Sequence, residues 1–347
     1  MVVLASQPAM AVTYAAMVMD ARDGSVLHTE NADQRLHPAS LTKMMTLYVA
    51  FEAVENGEIS LDTKVKISKK AASEPPSKLG LKAGQRISLR YLIRAAAIKS
   101  ANDAATAIGE AIEGSEAAFA RRMNRTAKAL GMKRTTFKNA HGLTQQGHLS
   151  TARDMTILGR HVFYDYPEYY HLFSRRTANA GIKKVRHTNT RFLANYRGAD
   201  GIKTGFTSAA GYTLTASAER GSERIITTVF GGRSIATRNR QVAKLMDLGF
   251  KKAPTNVSLR KPQLPNYSST NLDAKKIKRS SGAVRKSLVP KPRPGSKSAI
   301  IASVDLSDGI EKTLEMLMVA SEQSENVNTA QIHLATLDVK SLSLIHI

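Results

Sequence analysis

The chain contains no cysteine and no tryptophan in 347 residues, and aromatic residues make up only 5%. Without cysteine there is neither a disulfide framework nor a thiolate metal site. No stretch approaches the roughly 18 consecutive apolar residues that a transmembrane helix needs. Acidic residues are also scarce, 28 Asp and Glu against 51 Lys and Arg, which gives a formal net charge of +23. The excess is uneven. Residues 251–300 hold 13 basic side chains against the single Asp273, whereas residues 301–347 hold two lysines against seven acids. Such a basic surface suits nucleic acid, anionic lipid or an anionic wall polymer, and charge alone does not choose between them.

What is present is ample apolar material, 42% of residues, enough to bury a core. Residues 1–11 read as the remnant of a secretory signal peptide: Ala9-Met10-Ala11 fits the small-residue cleavage pattern, although the basic leader is missing. An exported protein of the periplasm or cell envelope is therefore expected. At the other end, Leu342 to Ile347 matches a translated sequencing adapter and is expected to be foreign to the natural chain, a reading that the encoding DNA tests.

Between the ends the pattern divides into three. Two short apolar runs, 14–20 and 25–29, flank Arg22-Asp23-Gly24, a hairpin signal. Helical spacing follows from Ser40 to Glu52, then at 89–99, 101–113, 115–131 and 151–164. From 200 the texture turns to strands at 201–205, 212–218 and 224–230, closed by a helix near 235–248. Strands at both ends with helices between predict one α+β domain over 12–252, its N- and C-terminal strands meeting in a single antiparallel sheet packed on a helical region. Residues 253–299, rich in Pro, Ser and Lys, read as a solvated basic linker. Residues 300–347 read as an acidic tail, with 305–322 as a candidate amphipathic helix too acidic to favour a membrane surface.

Three polar motifs stand in order within the predicted domain. Ser40-Leu41-Thr42-Lys43 puts a serine and a lysine three apart, on one face of a helix. Serine becomes a useful nucleophile when a nearby base takes its proton, and a deprotonated lysine can be that base. Ser100-Ala101-Asn102 falls between two helices, and Lys203-Thr204-Gly205 on a strand. Ser258-Leu259-Arg260-Lys261 repeats the first spacing, but neither other motif follows it. The ordered triple is the arrangement of acyl-serine enzymes such as β-lactamases and penicillin-binding proteins.

With the flanking residues, namely Ala39 to Met45, Lys99 to Ala105, His141-Gly142-Leu143, Ser150 to Asp154 and Asp200 to Gly205, the chain over 13–252 resembles the low-molecular-mass D-alanyl-D-alanine carboxypeptidases. That resemblance implies the β-lactamase/D,D-peptidase fold and a serine peptidase that removes the terminal D-Ala of peptidoglycan stem peptides. It further implies that Ser40 is the nucleophile and Lys43 its base, that Ser100 relays a proton, and that Asn102 positions Lys43 and the substrate amide. Lys203, Thr204 and Arg238 would hold the terminal carboxylate, the N–H groups of Ser40 and Phe206 would receive the oxyanion, and Gly205 and Gly201 would let substrate approach the strand edge. β-Lactams are implied as covalent inhibitors. No metal or other cofactor and no nucleic-acid partner is expected. The family's C-terminal β-rich domain and amphipathic anchor are not recognisable after 252, which leaves membrane association open. His141 reads as structural or cleft-lining, Asp154 as a helix N-terminal charge, and Met44 and Met45 as core.

Two alternatives share these residues: a D,D-endopeptidase cutting peptidoglycan cross-links, and a catalytically silent wall-binding protein, against which the intact polar triple argues. A class A β-lactamase is disfavoured, because no Glu-x-x-Leu-Asn occurs between Asn139 and Ser174.

Overall fold

The computed structural model describes residues 13–267. Along the chain run β1 (Ala15–Asp20), β2 (Val26–Glu30), α1 (Thr42–Glu55), β3 (Lys64–Lys66), α2 (Lys69–Ser73), β4 (Arg86–Ser88), α3 (Leu89–Arg94), α4 (Asn102–Glu113), α5 (Glu116–Ala129), α6 (Ala152–Asp165), α7 (Pro167–Tyr170), β5 (Thr177–Asn179), β6 (Lys184–Arg186), α8 (Thr190–Asn195), β7 (Ala199–Thr207), β8 (Gly211–Arg220), β9 (Glu223–Gly232) and α9 (Ile235–Lys252). Five strands form one antiparallel sheet in the order β2-β1-β9-β8-β7, so the first strand pairs with the last as the sequence pattern predicts. The β1–β2 turn closes through Gly24 N–H to the Asp20 carbonyl at 2.9 Å. Gly24 takes φ +85°, a left-handed value that glycine adopts without a Cβ penalty.

β1 shows how the sheet is covered on both faces. Alternate residues of a strand point to opposite sides. Ala15, Met17 and Met19 enter the core shared with α1 and α6, while Ala16 and Val18 enter a second core with Val242, Leu245 and Met246 of α9. α9 lies close on that second face because Gly249 has no side chain: a Cβ there would stand 2.8 Å from both Val18 Cγ1 and Ile225 Cγ2.

α1 is buried from Thr42 through Ala53, Met44 and Met45 included. A helix that is enclosed on every side is a core helix, and its position is fixed by packing from all directions. The helix predicted over 89–99 is α3 continued by a wider π turn at Ala95–Lys99. Residues 254–267 form no helix or strand and lie against the domain: Arg22 Nη2 donates to Pro254 O at 2.6 Å, and Arg260 N–H donates to Arg22 O at 2.8 Å. The signal-like residues 1–11, the linker from 268 and the acidic tail lie outside the described residues. Among the described residues no helix is long and apolar enough to cross a membrane.

Candidate active site

Ser40 sits in a short 3-10 turn, Ala39–Leu41, that runs directly into α1. Two glycines close that turn from either side. A Cβ on Gly142 would stand 1.8 Å from the Ala39 carbonyl oxygen, and one on Gly205 would stand 2.8 Å from Ser40 N and 2.5 Å from Thr213 Oγ1. Gly205 is therefore required by the approach of the Ser40 turn to β7. Gly201 faces inward, where a Cβ would stand 2.7 Å from Tyr170 Oη. Both glycines are thus demanded by close packing within the protein, and Gly205 also lines the cleft.

One helical turn into α1, Lys43 is fully buried. Its Nζ lies 3.0 Å from Ser40 Oγ, 2.7 Å from Asn102 Oδ1 and 2.7 Å from the His141 carbonyl. An ammonium can donate to all three. A neutral amine keeps two N–H groups, which match the two carbonyl acceptors, and turns its lone pair toward Ser40. Burial pushes Lys43 well below the ordinary lysine value and the Lys203 charge pushes the same way, with Glu74 and Asp103 opposing.

Ser100 ends the π turn with φ +62°, a left-handed conformation rare outside glycine, and its Oγ accepts from Lys203 Nζ at 2.8 Å. Lys203 is also fully buried; burial first, and the Arg238 charge second, lower it to about 7. Asn102 begins α4. Its Oδ1 takes Lys43, and its Nδ2 donates to Pro75 O at 2.8 Å, so one amide N–H is held by the protein rather than offered to the cleft. The adjoining loop is fastened to the same helix: Asp103 accepts N–H groups from Leu79, Gly80 and Leu81, and Asn102 N–H donates to Ser77 O at 2.7 Å.

These side chains open on a cleft of about 430 Å³ whose lining includes Ser40, Ser100, Asn102, Thr204, Phe206 and Arg238. Hydrogen bonds thus join Ser40 and Asn102 to Lys43, and separately join Ser100 to Lys203, with Ser40, Ser100 and Asn102 reaching the cleft. Thr204 accompanies them through a bond to Thr188 Oγ1 at 2.8 Å. Arg238 is almost wholly buried under the wall; its Nη1 donates to Thr213 O at 3.1 Å, its Nε and Nη2 donate to Asn239 Oδ1, and burial lowers it to about 10. Phe206 is 53% exposed at the mouth and packs on Tyr212 with ring centroids 4.3 Å apart. The decoy Ser258–Lys261 lies in the segment without helix or strand, away from this cleft.

Three features escape the sequence pattern. Thr188 has no motif around it. His141 gives Lys43 its backbone carbonyl, while its ring lies behind the site, 3.4 Å from both Glu74 and Glu116, so it is not a cleft-lining side chain. Glu74, Glu116 and His141 also place three potential metal-ligand atoms within 4.8 Å of one another, a grouping that no helical spacing reveals.

The chain matches peptidase family S11, D-alanyl-D-alanine carboxypeptidase, over residues 1–234. It is 40% identical over 247 residues to the D-alanyl-D-alanine carboxypeptidase DacF of Bacillus subtilis, covering 70% of this chain and 63% of that relative. Among solved structures it is similar to penicillin binding protein 5 from Haemophilus influenzae, at 35% identity and a TM-score of 0.66 over 71% of this chain and 73% of that one. It is also similar to penicillin-binding protein D2 from Listeria monocytogenes in its cefotaxime-bound form, at 37% identity and a TM-score of 0.62 over 68% and 96% of the two chains. Fold and site therefore define a protein of the penicillin-binding, β-lactamase-like class. The chain belongs to the D-alanyl-D-alanine carboxypeptidase family. It spans about 60 to 63% of the length of the first curated relatives it matches.

Proposed function

We propose that this protein is a serine-type D-alanyl-D-alanine carboxypeptidase, exported to the cell envelope, that removes the terminal D-Ala from peptidoglycan stem peptides through an acyl-enzyme on Ser40. The observation that carries this reading is the buried Lys43 amine, 3.0 Å from Ser40 Oγ with its other two N–H directions taken by carbonyls. In the reaction Ser40 Oγ attacks the carbonyl carbon between the two D-alanines, and its proton passes to the Lys43 lone pair. Charge develops on the carbonyl oxygen, which the N–H groups of Ser40 and Phe206 receive; a donor of this kind lowers the barrier by roughly 3 kcal/mol. The C–N bond then breaks as Ser100, bonded to Lys203, passes its proton to the departing amine, and the proton that Lys43 took from Ser40 replaces it, leaving Lys43 neutral again. Water then attacks the ester, Lys43 accepts its proton, and that proton returns to Ser40 Oγ as the acid product leaves. Thr204, Lys203 and Arg238 supply the cationic and hydroxyl groups for the substrate's terminal carboxylate.

A β-lactam carbonyl enters the same sequence and stops at the acyl stage, in keeping with the cefotaxime-bound relative. Fluorescent penicillin is expected to label the wild type covalently and to leave Ser40→Ala unlabelled; an unlabelled wild type, or a labelled Ser40→Ala, overturns the mechanism. Digestion of a pentapeptide muropeptide beside a cross-linked dimer then separates terminal cleavage from endopeptidase action.

A further inference from the structure

Directly behind Lys43 lies a second buried group of charges that the reaction above leaves idle. Glu74, at the C-terminal end of α2, accepts from Thr106 Oγ1 of α4 at 3.0 Å. Its other oxygen lies 3.4 Å from His141 Nε2, which lies at the same 3.4 Å from Glu116 of α5. Leu143 N–H donates to His141 Nδ1 at 3.1 Å, so that nitrogen carries no proton and Nε2–H faces the two carboxylates. Glu116 is further paired with Lys70 at 2.5 Å. Each ligand atom of the group thus has a protein partner, and the arrangement is an ion-pair network tying α2, α4 and α5 to the segment whose carbonyl grips Lys43.

The charges that act on Lys43 are Lys203 of β7, Asp103 of α4 and Glu74 at the end of α2, and Glu74 reaches it through His141, whose ring lies 3.4 Å from the carboxylate and whose carbonyl lies 2.7 Å from Lys43 Nζ. The two carboxylates differ in how they are occupied. Asp103 is spent on backbone N–H groups of Leu79, Gly80, Leu81 and Ala104. Glu74 has one hydroxyl and one imidazole N–H. Burial disfavours its charged form, yet the His141 and Thr106 bonds prevail and hold Glu74 below the ordinary glutamate range, so it is anionic at neutral pH. A base buried beside a like charge becomes too weak to pull a serine proton unless something restores part of its basicity.

We propose that Glu74 is a positioning residue for this reaction: its buried carboxylate is the counter-charge that offsets Lys203 and keeps Lys43 a competent base, and its link through His141 fixes the carbonyl that takes one Lys43 N–H. The inference rests on the reading of Lys43 as the base. For His141, burial opposes the charged ring while Glu116 and Glu74 favour it and raise it above the ordinary value, but the N–H donated to Nδ1 weighs against a second proton.

The test is the pH dependence of the second-order rate of penicillin acylation. Glu74→Gln keeps the shape, its carbonyl accepting from His141 Nε2–H and its amide donating to the Thr106 hydroxyl oxygen, but removes the charge, so Lys43 loses its proton more readily and the midpoint of the acid limb moves down by about one pH unit. Lys70→Met, on a side chain 55% exposed, frees the Glu116 charge and moves the midpoint up by a smaller amount, ~0.3 unit. A Glu74→Gln enzyme that loses rate at every pH with an unmoved midpoint has lost only structure, and overturns the inference. If Glu74→Gln does not fold, Lys70→Met decides, and an unmoved midpoint there overturns it equally. A wild type that penicillin never acylates fails the functional reading; a wild type that acylates, with unmoved midpoints in the variants, fails this inference alone.

Discussion

Arg122 on α5 and Lys43 on α1 are both buried basic side chains, and their partners differ in kind. Arg122 meets Glu52 at 2.9 Å, Glu58 at 2.6 Å and Glu113 at 3.3 Å. Lys43 meets two carbonyls and a hydroxyl. Burial works against charge at both sites. At Arg122 the bonds to Glu58 and Glu52 outweigh it and the guanidinium is held more firmly charged than usual, whereas Lys43 is pushed well down. Enclosure alone therefore does not decide what a buried cation is for. Full counter-charges make it a fastening, and neutral acceptors leave it able to exchange a proton.

The sharpest way to break this contrast is to remove each cation in turn. Lys43→Met is expected to lower the penicillin acylation rate by about 10³-fold, within the range of a lost general base, while the melting temperature changes little. A rate within tenfold of wild type would remove Lys43 from the chemistry. Arg122→Met removes the positive charge shared by Glu52, Glu58 and Glu113 and is expected to cost about 3–5 kcal/mol in urea unfolding, with acylation per folded molecule retained. A loss comparable to that of Lys43→Met would show the two cations to be alike.

Proton linkage sharpens the comparison further. Lys203 titrates near 7 in the fold against an ordinary 10.5, so between these values the unfolded chain binds a proton that the folded chain does not. Stability contributed by this group accordingly rises with pH from about 7 to about 10.5 and is level below that window. The urea midpoint of the wild type should climb across it relative to Lys203→Met, and parallel curves would refute the assignment. The smallest effect concerns Arg238, the third cation of the cleft. It rides on α9, whose start is held by a Ser234–Thr237 capping box. Ser234→Ala should cost about 1 kcal/mol of stability, measured by urea unfolding, and leave Lys43 chemistry intact.

Much of this architecture was legible in the sequence, for reasons that particular residues explain. The short apolar runs at 14–20 and 224–230 announced strands because a strand covered on both faces is apolar throughout, and Asp23-Gly24 announced the turn because glycine accepts the backbone angle there. Ser40 and Lys43 were legible because helical geometry alone puts them side by side. The π turn at Ala95–Lys99 was not, since its residues suit an ordinary helix, while segments distant in the chain bond its last carbonyls, Ser77 Oγ donating to Lys99 O and Thr188 N–H to Ile98 O. Nor could spacing reveal the meeting of Glu74, Glu116 and His141, which three separate segments bring together. Gly201 and Gly205 were legible as special but not as to why: whether a missing side chain makes room for a ligand or for the protein itself is settled only by what stands opposite.

The two glycines that flank the Ser40 turn set limits on how this cleft can diverge. Positions 142 and 205 cannot gain a single carbon without striking the backbone at Ala39 or Ser40. The place of the hydroxyl is thereby a joint property of three segments far apart in the chain, and no change in one of them can relocate it while the others stay. The rim is under no such restraint: Phe206 and Ile235 stand half in solvent. Diversification of what enters the cleft is channelled to those outer side chains, and the serine is inherited in place.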